Sequence, residues 1–504
     1  EYADPEMGSG AVKVTPAHDP NDYGIGQRHG LEQIQVIDFD GSMTAAAGSA
    51  YAGMDRYACR QRVVEELESQ GLLVKIDDHE HAVPHHDKCG TVIEPLPMEQ
   101  WFMDMKPLAE KTRPYIESSE IGYVPDRFRG YALEWLEDIR DWALSRQIWW
   151  GHRIPAWYCT GCSGEDGLIP LGGMSREQAL MQGSFRVSMQ AGADPVVSVT
   201  KPEPCTKCTG GEWVRDPDVL DTWFSSALWP FATLGWPQTE KDLGFFYPTD
   251  LMITGRDILY LWVLRMAMTS LEFIGQIPFK TVLVHPTVLT KDGRRMSKSL
   301  GTGLNPLDLV ELYGADATRY SLLHQAGAGQ DIRFDAEIAD NKVTSSVSAR
   351  AGQNFCNKLW NAARFVLMNL EGYEPGAPVS VSAPEDRWVL SRLASLVEGV
   401  TSALESHRFH EAVQSLYAFT WNVYCDWYLE LTKGRLNDES PDGALSRKAA
   451  QQTLVQVLDT LLRLLHPLVP FVSEELRSHL KRYQPDAGET LILDSWPTYD
   501  QDLL

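Results

Sequence analysis

The sequence predicts a multidomain protein in which α/β segments are followed by an all-helical region. A chain of 504 residues is too long for one hydrophobic core and should divide into several units. Within residues 216–330, the short apolar stretches 251–254 and 281–285 resemble buried strands, and an apolar helix predicted over 258–271 separates them. After residue 333 the apolar residues recur with helical spacing, which predicts a helix bundle.

Two segments of the helical region place their apolar residues on one helix face. These residues are Val389, Leu393, Leu396, Val397 and Val400 in the first segment, and Leu454, Val457, Leu458, Leu461, Leu462 and Leu465 in the second. Pro467 should end the second helix, because proline cannot continue the hydrogen-bond ladder. In the first segment, Glu385 and Asp386 follow Pro384, as suits the first turn of a helix.

The N-terminal part of the sequence contains less regular patterning. Residues 56–70 predict a helix that Gly71 should end. Residues 83–130 are rich in proline and are interpreted as an irregular connector. Residues 131–158 are dense in tryptophan, and a cysteine-bearing segment follows over residues 159–208.

Composition and charge exclude several classes of protein. Apolar residues at 43% and charged residues at 23% are typical of a soluble globular protein. The formal net charge of −24 argues against charge-driven nucleic-acid binding, but it leaves open a protein that reads folded RNA by shape. The longest apolar run, residues 259–268, is far shorter than the ~20 residues of a membrane span. With no signal peptide and no initiator methionine, we expect a fragment of a longer cytoplasmic protein.

Four of the eight cysteines form two C-x-x-C pairs, Cys159 with Cys162 and Cys205 with Cys208. In a long chain without a secretion signal, such pairs favour a metal over disulfides, and four thiolates suit a closed structural zinc site. The separation of the two pairs exceeds the usual spacing, so the pattern alone leaves free thiols as the alternative. The remaining cysteines are expected to be packing residues: Cys59, Cys89, Cys356 and Cys425.

The strongest chemical signal is the basic run at residues 295–299, Arg-Met-Ser-Lys-Ser. It follows a Lys-Asp-Gly turn at 291–293, so its cations belong to a flexible loop that can swing onto a triphosphate. Adenylate formation develops charge on the phosphates, and mobile lysine and arginine side chains neutralise that charge. From these residues alone, a solvated basic loop is the alternative interpretation.

This run resembles the KMSKS loop of the class I aminoacyl-tRNA synthetases, with Arg295 in place of the first lysine of that motif. Further segments resemble the same family, and most of these resemble its valine, isoleucine and leucine group. They are residues 149–158, 221–226, 254–259, 300–306, 313–319, 426–430 and 466–471. Residues 10–23 and 330–333 favour the valine type over the isoleucine type, so the resemblance covers nearly the whole chain.

The resemblance implies roles for individual residues. The catalytic residues would be Arg295, Ser297 and Lys298. The ATP-binding residues would be Gly255, Asp257, Met296 and Lys298. Asp257 would take the ATP ribose at the carboxyl edge of a strand, where doubly wound sheets bind ligands. The amino-acid pocket would be walled by Trp223, Ile258 and Trp262. For Ile258 and Trp262, ordinary core packing is the alternative.

Residues 10–23 resemble the editing core of the valine-type enzymes. Editing has a physical cause, because a hydrophobic pocket cannot strongly reject an isostere that merely adds a hydroxyl. By the resemblance, Lys13 and Thr15 would read the threonine hydroxyl, Asp22 would hold the ammonium group, and Asp19 would support or replace it. A turn in which Asp and Asn side chains bind their own backbone is the alternative for residues 18–22.

The resemblance also implies a domain order and marks what is missing. Residues 1–82 would be the C-terminal part of an editing domain, and residues 83–158 would be a connector to the catalytic core. A zinc-bearing segment would follow at residues 159–215. Residues 216–332 would form the second half of a Rossmann-like catalytic domain, and residues 333–504 a helical anticodon-binding domain. The second class I motif, His-x-Gly-His, is absent from the sequence. The chain should therefore lack the first half of the nucleotide-binding fold, and also the C-terminal coiled-coil arm common in bacterial valine enzymes.

The implied function is that of a valine–tRNA ligase that edits mischarged threonine. Its substrates would be valine, ATP and the valine tRNA, with Mg²⁺ held mainly by the ATP phosphates and with a structural zinc ion. We expect a cytoplasmic monomer that makes no membrane contact, and an isolated fragment that is inactive in aminoacylation. The alternatives are an isoleucine-type synthetase and a tRNA-binding fragment without chemistry.

Overall fold

The computed structural model of the chain separates into two compact units. The first comprises residues 1–107 and 140–226, and the second comprises residues 108–139 and 227–504. The structure describes residues 6, 10–86, 89–163, 167–170, 175–182, 185–187, 194–208, 210–238, 241–296, 302–327, 329–340, 342–375, 383–438, 440, 443–484 and 488–503.

The α-helices in chain order are α1 (Pro20–His29), α2 (Arg56–Ser69), α3 (Lys106–Glu117), α4 (Arg127–Glu137), α5 (Arg176–Gln182), α6 (Thr222–Ala227), α7 (Trp229–Ala232), α8 (Lys241–Phe246), α9 (Leu264–Phe273), α10 (Pro306–Tyr313), α11 (Ala315–Gln325), α12 (Val347–Met368), α13 (Pro384–Glu405), α14 (Phe409–Ala418), α15 (Leu429–Leu436), α16 (Gly443–Leu465) and α17 (Pro470–Leu480). The segments Leu259–Val263 and Phe419–Tyr428 are π-helical.

The strands in chain order are β1 (Phe102–Met103), β2 (Gly122–Val124), β3 (Trp142–Ala143), β4 (Ser145–Arg146), β5 (Ala156–Cys159), β6 (Leu168–Pro170), β7 (Phe185–Val187), β8 (Val196–Val197), β9 (Trp213–Arg215), β10 (Val219–Leu220), β11 (Thr249–Gly255), β12 (Phe279–His285), β13 (Val288–Leu289), β14 (Ile332–Arg333), β15 (Glu337–Ala339) and β16 (Lys342–Ser345).

The first unit is built from short antiparallel strand pairs around a small core. β5 is the centre of a three-stranded sheet, with β8 on one side and β9 on the other. Ile154, Tyr158 and Phe185 are among the buried side chains of this core. Within it, the buried Asp216 carboxylate accepts hydrogen bonds of 2.9 Å from Trp101 Nε1 and Tyr158 OH. The core of this unit therefore contains a buried polar group that is satisfied by hydrogen bonds.

The helix predicted over residues 56–70 is confirmed as α2. The Asp55 side chain caps its first turn by accepting from the backbone N–H groups of Tyr57 and Ala58. Beyond the helix, Gly71 has a φ of 68°, the left-handed conformation that glycine adopts without a steric cost.

The second unit contains a three-stranded parallel sheet in the order β2–β12–β11. β11 and β12 include the two strands predicted from the sequence. They pair along their whole length, and at the carboxyl end Gly255 lies opposite His285. The predicted helix between them is also confirmed, although it begins with a 3₁₀ turn and a π-helical turn before α9.

The prediction of an irregular connector over residues 83–130 is wrong for its second half, which contains α3, β2 and the start of α4. Pro114 lies inside α3 and removes one backbone donor there. The helix nevertheless forms, since one face buries Ala109, Thr112 and Ile116. The burial of this face therefore outweighs the effect of Pro114 on the helix. The proline content of the segment does not reveal such burial.

The helical region of the second unit has the apolar faces predicted from the sequence. In α13 and α16, all the residues named above for these faces are buried. α16 ends at Leu465, just before Pro467. Within the described part of the chain, no helix is long and apolar enough to cross a membrane.

A buried ion pair joins the helices of this region. Asp386, in the first turn of α13 as predicted, is fully buried. Arg435 of α15 binds both of its carboxylate oxygens at 2.8 Å, and Tyr428 OH donates to it at 2.7 Å. Burial, together with the nearby Asp386 carboxylate, raises the pKa of Tyr428, so its hydroxyl remains a donor. Arg435 also donates to Ser446 of α16, so the pair connects three helices.

We predict that Asp386→Ala lowers the free energy of unfolding of the helical region by about 3–5 kcal/mol, because it leaves the Arg435 charge without its buried partner. Urea denaturation followed by circular dichroism at 222 nm measures the change.

The matched control is Glu385→Ala. Glu385 also binds Arg435, at 3.0 Å, but its side chain is 24% exposed. This variant should lose about 1 kcal/mol or less. Equal losses in the two variants would contradict a special contribution of the buried carboxylate.

Candidate functional site

The carboxyl edge of the parallel sheet holds the first group of predicted site residues. Gly255 ends β11, and the chain then turns through a 3₁₀ segment that contains Asp257 and ends at Ile258. Ligands of doubly wound sheets bind at this edge. The Asp257 side chain is 49% exposed and forms an ion pair with Arg295 of the basic loop. The structure thus brings together two residues that are 38 positions apart, which sequence analysis assigned to one site.

The turn that precedes the basic loop is present as predicted. Thr290 and Arg294 are joined by a backbone hydrogen bond of 2.9 Å, and Gly293 has a φ of 84°. Asp292 accepts hydrogen bonds from the Thr290 hydroxyl and from Arg294 Nε, and these bonds lower the pKa of its carboxyl. Met296 packs against a hydrophobic cluster that includes Leu309 and Tyr313. The loop therefore has an ordered base.

The remaining loop residues of the prediction, Ser297 and Lys298, lie outside the described residues. Their assignment as catalytic residues stays a prediction.

The three predicted pocket residues fall in different units. Trp223 lies in α6 of the first unit. Ile258 and Trp262 lie in the second unit, four residues apart on one helical segment, and both are partly exposed. Their neighbours Leu259 and Val263 are fully buried. Partial exposure distinguishes Ile258 and Trp262 from these core residues.

Three of the four predicted editing residues converge near the N-terminus. Asp22 Oδ2 accepts from the Thr15 backbone N–H at 2.7 Å and from its hydroxyl at 3.1 Å. Lys13 Nζ lies 3.1 Å from the Thr15 hydroxyl and 3.8 Å from Asp22 Oδ2. The Thr15 backbone bond, with Lys13 nearby, lowers the pKa of Asp22 and keeps its carboxylate charged.

Asp19 and His18 have other positions in this segment. Asp19 is the N-cap of α1 and accepts from the backbone N–H groups of Asn21 and Asp22. Nε2 of His18 accepts from the Val36 backbone N–H at 2.9 Å, whereas its buried Nδ1 has no hydrogen-bond partner among the described residues. Sequence analysis had not singled out His18. In the sequence, only its position between the predicted editing residues Thr15 and Asp19 could have drawn attention to it.

The two C-x-x-C pairs form one cluster, as predicted. The four Sγ atoms of Cys159, Cys162, Cys205 and Cys208 all lie within 4.8 Å of one another. The donor set suits zinc, which prefers four thiolates in a tetrahedral structural site. A backbone hydrogen bond from Lys207 lowers the pKa of Cys205 to about 7, whereas hydrogen bonds with the neighbouring cysteines raise the pKa of Cys162 and of Cys208. No other group of three or more possible metal ligands occurs in the described ranges.

Glycines provide the space for these sulfur atoms. A β-carbon at Gly161 would lie 2.8 Å from Cys208 Sγ, and one at Gly211 would lie 2.5 Å from Cys159 Sγ. Larger residues at either position would displace the thiols. The backbone is therefore shaped around the cluster, which is further support for a metal.

The cysteines outside the cluster follow the packing prediction in part. Cys59 and Cys425 are buried, and Cys356 is partly buried. Cys89 is exposed, so the prediction is wrong for this residue. It lies beside the His86 ring and the Thr91 hydroxyl in a surface turn, where no hydrophobic core is available.

Two family models match different parts of the chain. Residues 21–335 match the family model described as tRNA synthetases class I (I, L, M and V). Residues 386–504 match the anticodon-binding domain of tRNA ligase.

Known proteins are similar along the whole chain. A valine–tRNA ligase of Symbiobacterium thermophilum is 47% identical over 96% of this chain and 49% of its own length. One from Thermotoga maritima is 45% identical over 100% of this chain and 52% of its own length. The chain thus spans about half the length of these curated relatives.

Solved structures share the fold at low identity. A methionyl-tRNA synthetase of Mycobacterium tuberculosis bound by methionyl-adenylate has a TM-score of 0.55 at 18% identity, over 81% of this chain and 69% of its own. A LeuRS–tRNA–LeuAMS complex from Agrobacterium radiobacter has a TM-score of 0.52 at 22% identity, over 72% of this chain and 44% of its own.

The fold class predicted from the sequence is confirmed, since a Rossmann-like parallel sheet is followed by a helical anticodon-binding domain. On the match over residues 21–335, this chain belongs to the class I tRNA synthetases of the isoleucine, leucine, methionine and valine group.

Proposed function

We propose that the chain is the loop-bearing part of a valine–tRNA ligase, which activates valine with ATP and transfers it to the valine tRNA. The observation that carries the proposal is the position of Asp257, at the carboxyl edge of a parallel sheet and in an ion pair with Arg295 of the basic loop. The similarity to valine–tRNA ligases along the whole chain supports valine as the amino acid.

In the proposed reaction, the valine carboxylate attacks the α-phosphorus of ATP, and pyrophosphate leaves. Asp257 accepts hydrogen bonds from the ribose and fixes the nucleotide at the sheet edge. Lys298 and Arg295 place positive charge beside the phosphates, where negative charge develops in the transition state. Mg²⁺ binds mainly to ATP oxygens. On the sequence resemblance alone, Trp223, Ile258 and Trp262 are assigned to the aliphatic pocket.

We assign editing of mischarged threonine to the segment at residues 13–22. The charged Asp22 carboxylate suits the ammonium group of the amino acid, and Lys13 and Thr15 suit its hydroxyl. Asp19 acts through the helix cap that orients Asp22, because it binds the Asp22 backbone N–H at 2.9 Å. His18 supports the segment from the buried side through its bond to Val36.

The zinc ion of the proposed enzyme has a structural function at the four-cysteine cluster, since four thiolates leave no open position for a substrate. The helical region binds the anticodon arm of the tRNA, as its family description suggests. The proposal includes a cytoplasmic, monomeric protein. The domain limits given in the sequence analysis are part of the proposal as well.

We predict that Lys298→Ala, in a full-length protein that restores the His-x-Gly-His motif, lowers kcat of valine-dependent pyrophosphate exchange far more than it raises the KM for valine, because its contact strengthens in the transition state. Lys291→Ala is the control, since Lys291 lies in the same loop but is paired with Glu337 at 2.8 Å. Equal losses in the two variants would contradict the assignment. The 504-residue chain alone should show no exchange.

Removal of one cluster thiol should release the metal. Cys162→Ser is expected to lower the zinc content from one ion per chain and to lower the melting temperature of the first unit, because metal binding supplies folding free energy. Elemental analysis and calorimetry measure the two effects. Cys89→Ser, which changes a cysteine outside the cluster, should retain the zinc; a zinc-free wild-type protein would end the proposal.

For editing, Asp22→Asn removes the negative charge of the side chain but keeps its shape. The amide oxygen can still accept from the Thr15 backbone N–H. In the full-length protein this variant should accumulate threonyl-tRNA while charging valine at a near-normal rate. Asp40→Asn is the control, since Asp40 makes the same kind of contacts with Ser42 in the same unit. Clearance of mischarged tRNA at the wild-type rate by Asp22→Asn would show that Asp22 is only a turn residue.

A further inference from the structure

Two segments of the second unit meet at the carboxyl edge of its sheet. One is the corner at residues 255–257, which follows β11. The other is the stem at residues 287–289, which follows β12 and leads into the basic loop. The stem contains β13, which pairs in parallel with β14. We call these segments the corner and the stem.

Asp331, just before β14, contacts both segments. Its Oδ2 lies 2.8 Å from Arg256 Nη2 in the corner. Its Oδ1 accepts from the backbone N–H of Thr287 in the stem, at 3.2 Å. The side chain is only 21% exposed, so solvent screens these contacts less than those of an open surface pair. Asp331 therefore ties the corner to the stem.

Backbone contacts make this tie rigid. Ile332 N–H donates to the Thr287 carbonyl at 2.9 Å, and Phe334 N–H donates to the Leu289 carbonyl at 3.0 Å. Farther along the loop, Gly293 packs close to the Arg333 guanidinium. The stem is thus held along β14, and its distance from the corner is fixed through Asp331.

The second connection between corner and loop is the ion pair of Asp257 with Arg295. The two side chains are 49% and 64% exposed, and an exposed ion pair contributes little to stability. Ribose hydroxyls that donate to the Asp257 oxygens compete with the guanidinium for the same lone pairs. A triphosphate offers Arg295 a stronger, bidentate partner.

We propose that Asp257 is a shared residue, which holds Arg295 in the absence of nucleotide and releases it to the phosphates when the ribose takes its place. Asp331 is the positioning residue that keeps corner and stem close enough for this exchange. The inference rests on the proposed ATP site and adds to it the coupling between ribose recognition and the phosphate-binding arginine.

Trypsin measures this coupling, because it cleaves after Arg295 only when that side chain is free to enter the protease. In the purified 504-residue chain, Asp257→Ala should be cleaved after Arg295 about threefold faster than the wild type, as expected for loss of an exposed ion pair. Mass spectrometry of the fragments identifies the cut. Cleavage at the wild-type rate would overturn the proposal without involving any nucleotide.

Adenosine and ATP distinguish the two steps of the exchange. Adenosine supplies the ribose without phosphates, so it should accelerate cleavage of the wild type after Arg295. ATP supplies both and should leave Arg295 protected. Adenosine that binds in equilibrium dialysis but leaves cleavage unchanged would overturn the exchange and leave the ATP site intact. Failure of both nucleotides to bind would overturn the proposed ATP site, and the exchange with it.

The positioning role of Asp331 is tested by Asp331→Ala, which should be cleaved rapidly and should no longer respond to adenosine. Asp331→Asn retains an acceptor for the Thr287 N–H and should recover part of the response. Glu337→Gln is the control, since it removes only the Lys291 ion pair of the same loop and should respond as the wild type does. A lower melting temperature of Asp331→Ala with a normal adenosine response would show a merely structural role and overturn the assignment.

Discussion

Parallel pairing of β11 with β12 is the constraint on which the candidate nucleotide site depends. Because the two strands run in the same direction and end together, the segments that follow them leave the sheet at one edge. Asp257 and the stem of the basic loop are neighbours for this reason. A shift of one residue in the pairing would turn every side chain of one strand to the opposite face. The proposed chemistry of the loop therefore depends on the correct register of these two strands.

Much of this arrangement could be predicted from the sequence, where a local pattern has one physical meaning. Apolar periodicity predicted the buried faces of α13 and α16, because a helix in a bundle must bury such a face. The cysteine pairs predicted a cluster, because two C-x-x-C pairs in a long chain without a secretion signal favour a metal site over disulfides. The resemblance to synthetase motifs predicted one site for Asp257 and Arg295, and the structure joins the two side chains in an ion pair.

Features that depend on long-range contacts could not be predicted. The proline content of residues 83–130 argued against α3, and only the tertiary packing of Ala109 and Ile116 decides for the helix. Asp386 had the appearance of an ordinary first-turn carboxylate, whereas its burial follows from Arg435, which is distant in sequence. Asp331 was noted only as part of a segment typical of the family. Its two partners come from other elements, and no local spacing indicates them.

The meeting of α13, α15 and α16 at Arg435 has a consequence for the motions of the helical region. Opening α13 or α15 separates Arg435 from Asp386 and leaves a charge in the apolar interior, and opening α16 removes the Ser446 acceptors of the same guanidinium. Partial opening is therefore costly, and the three helices should exchange their backbone amide hydrogens with solvent as one cooperative unit. The region should therefore open as a whole and not by fraying of a single helix, which would suit the anticodon arm proposed above as its partner.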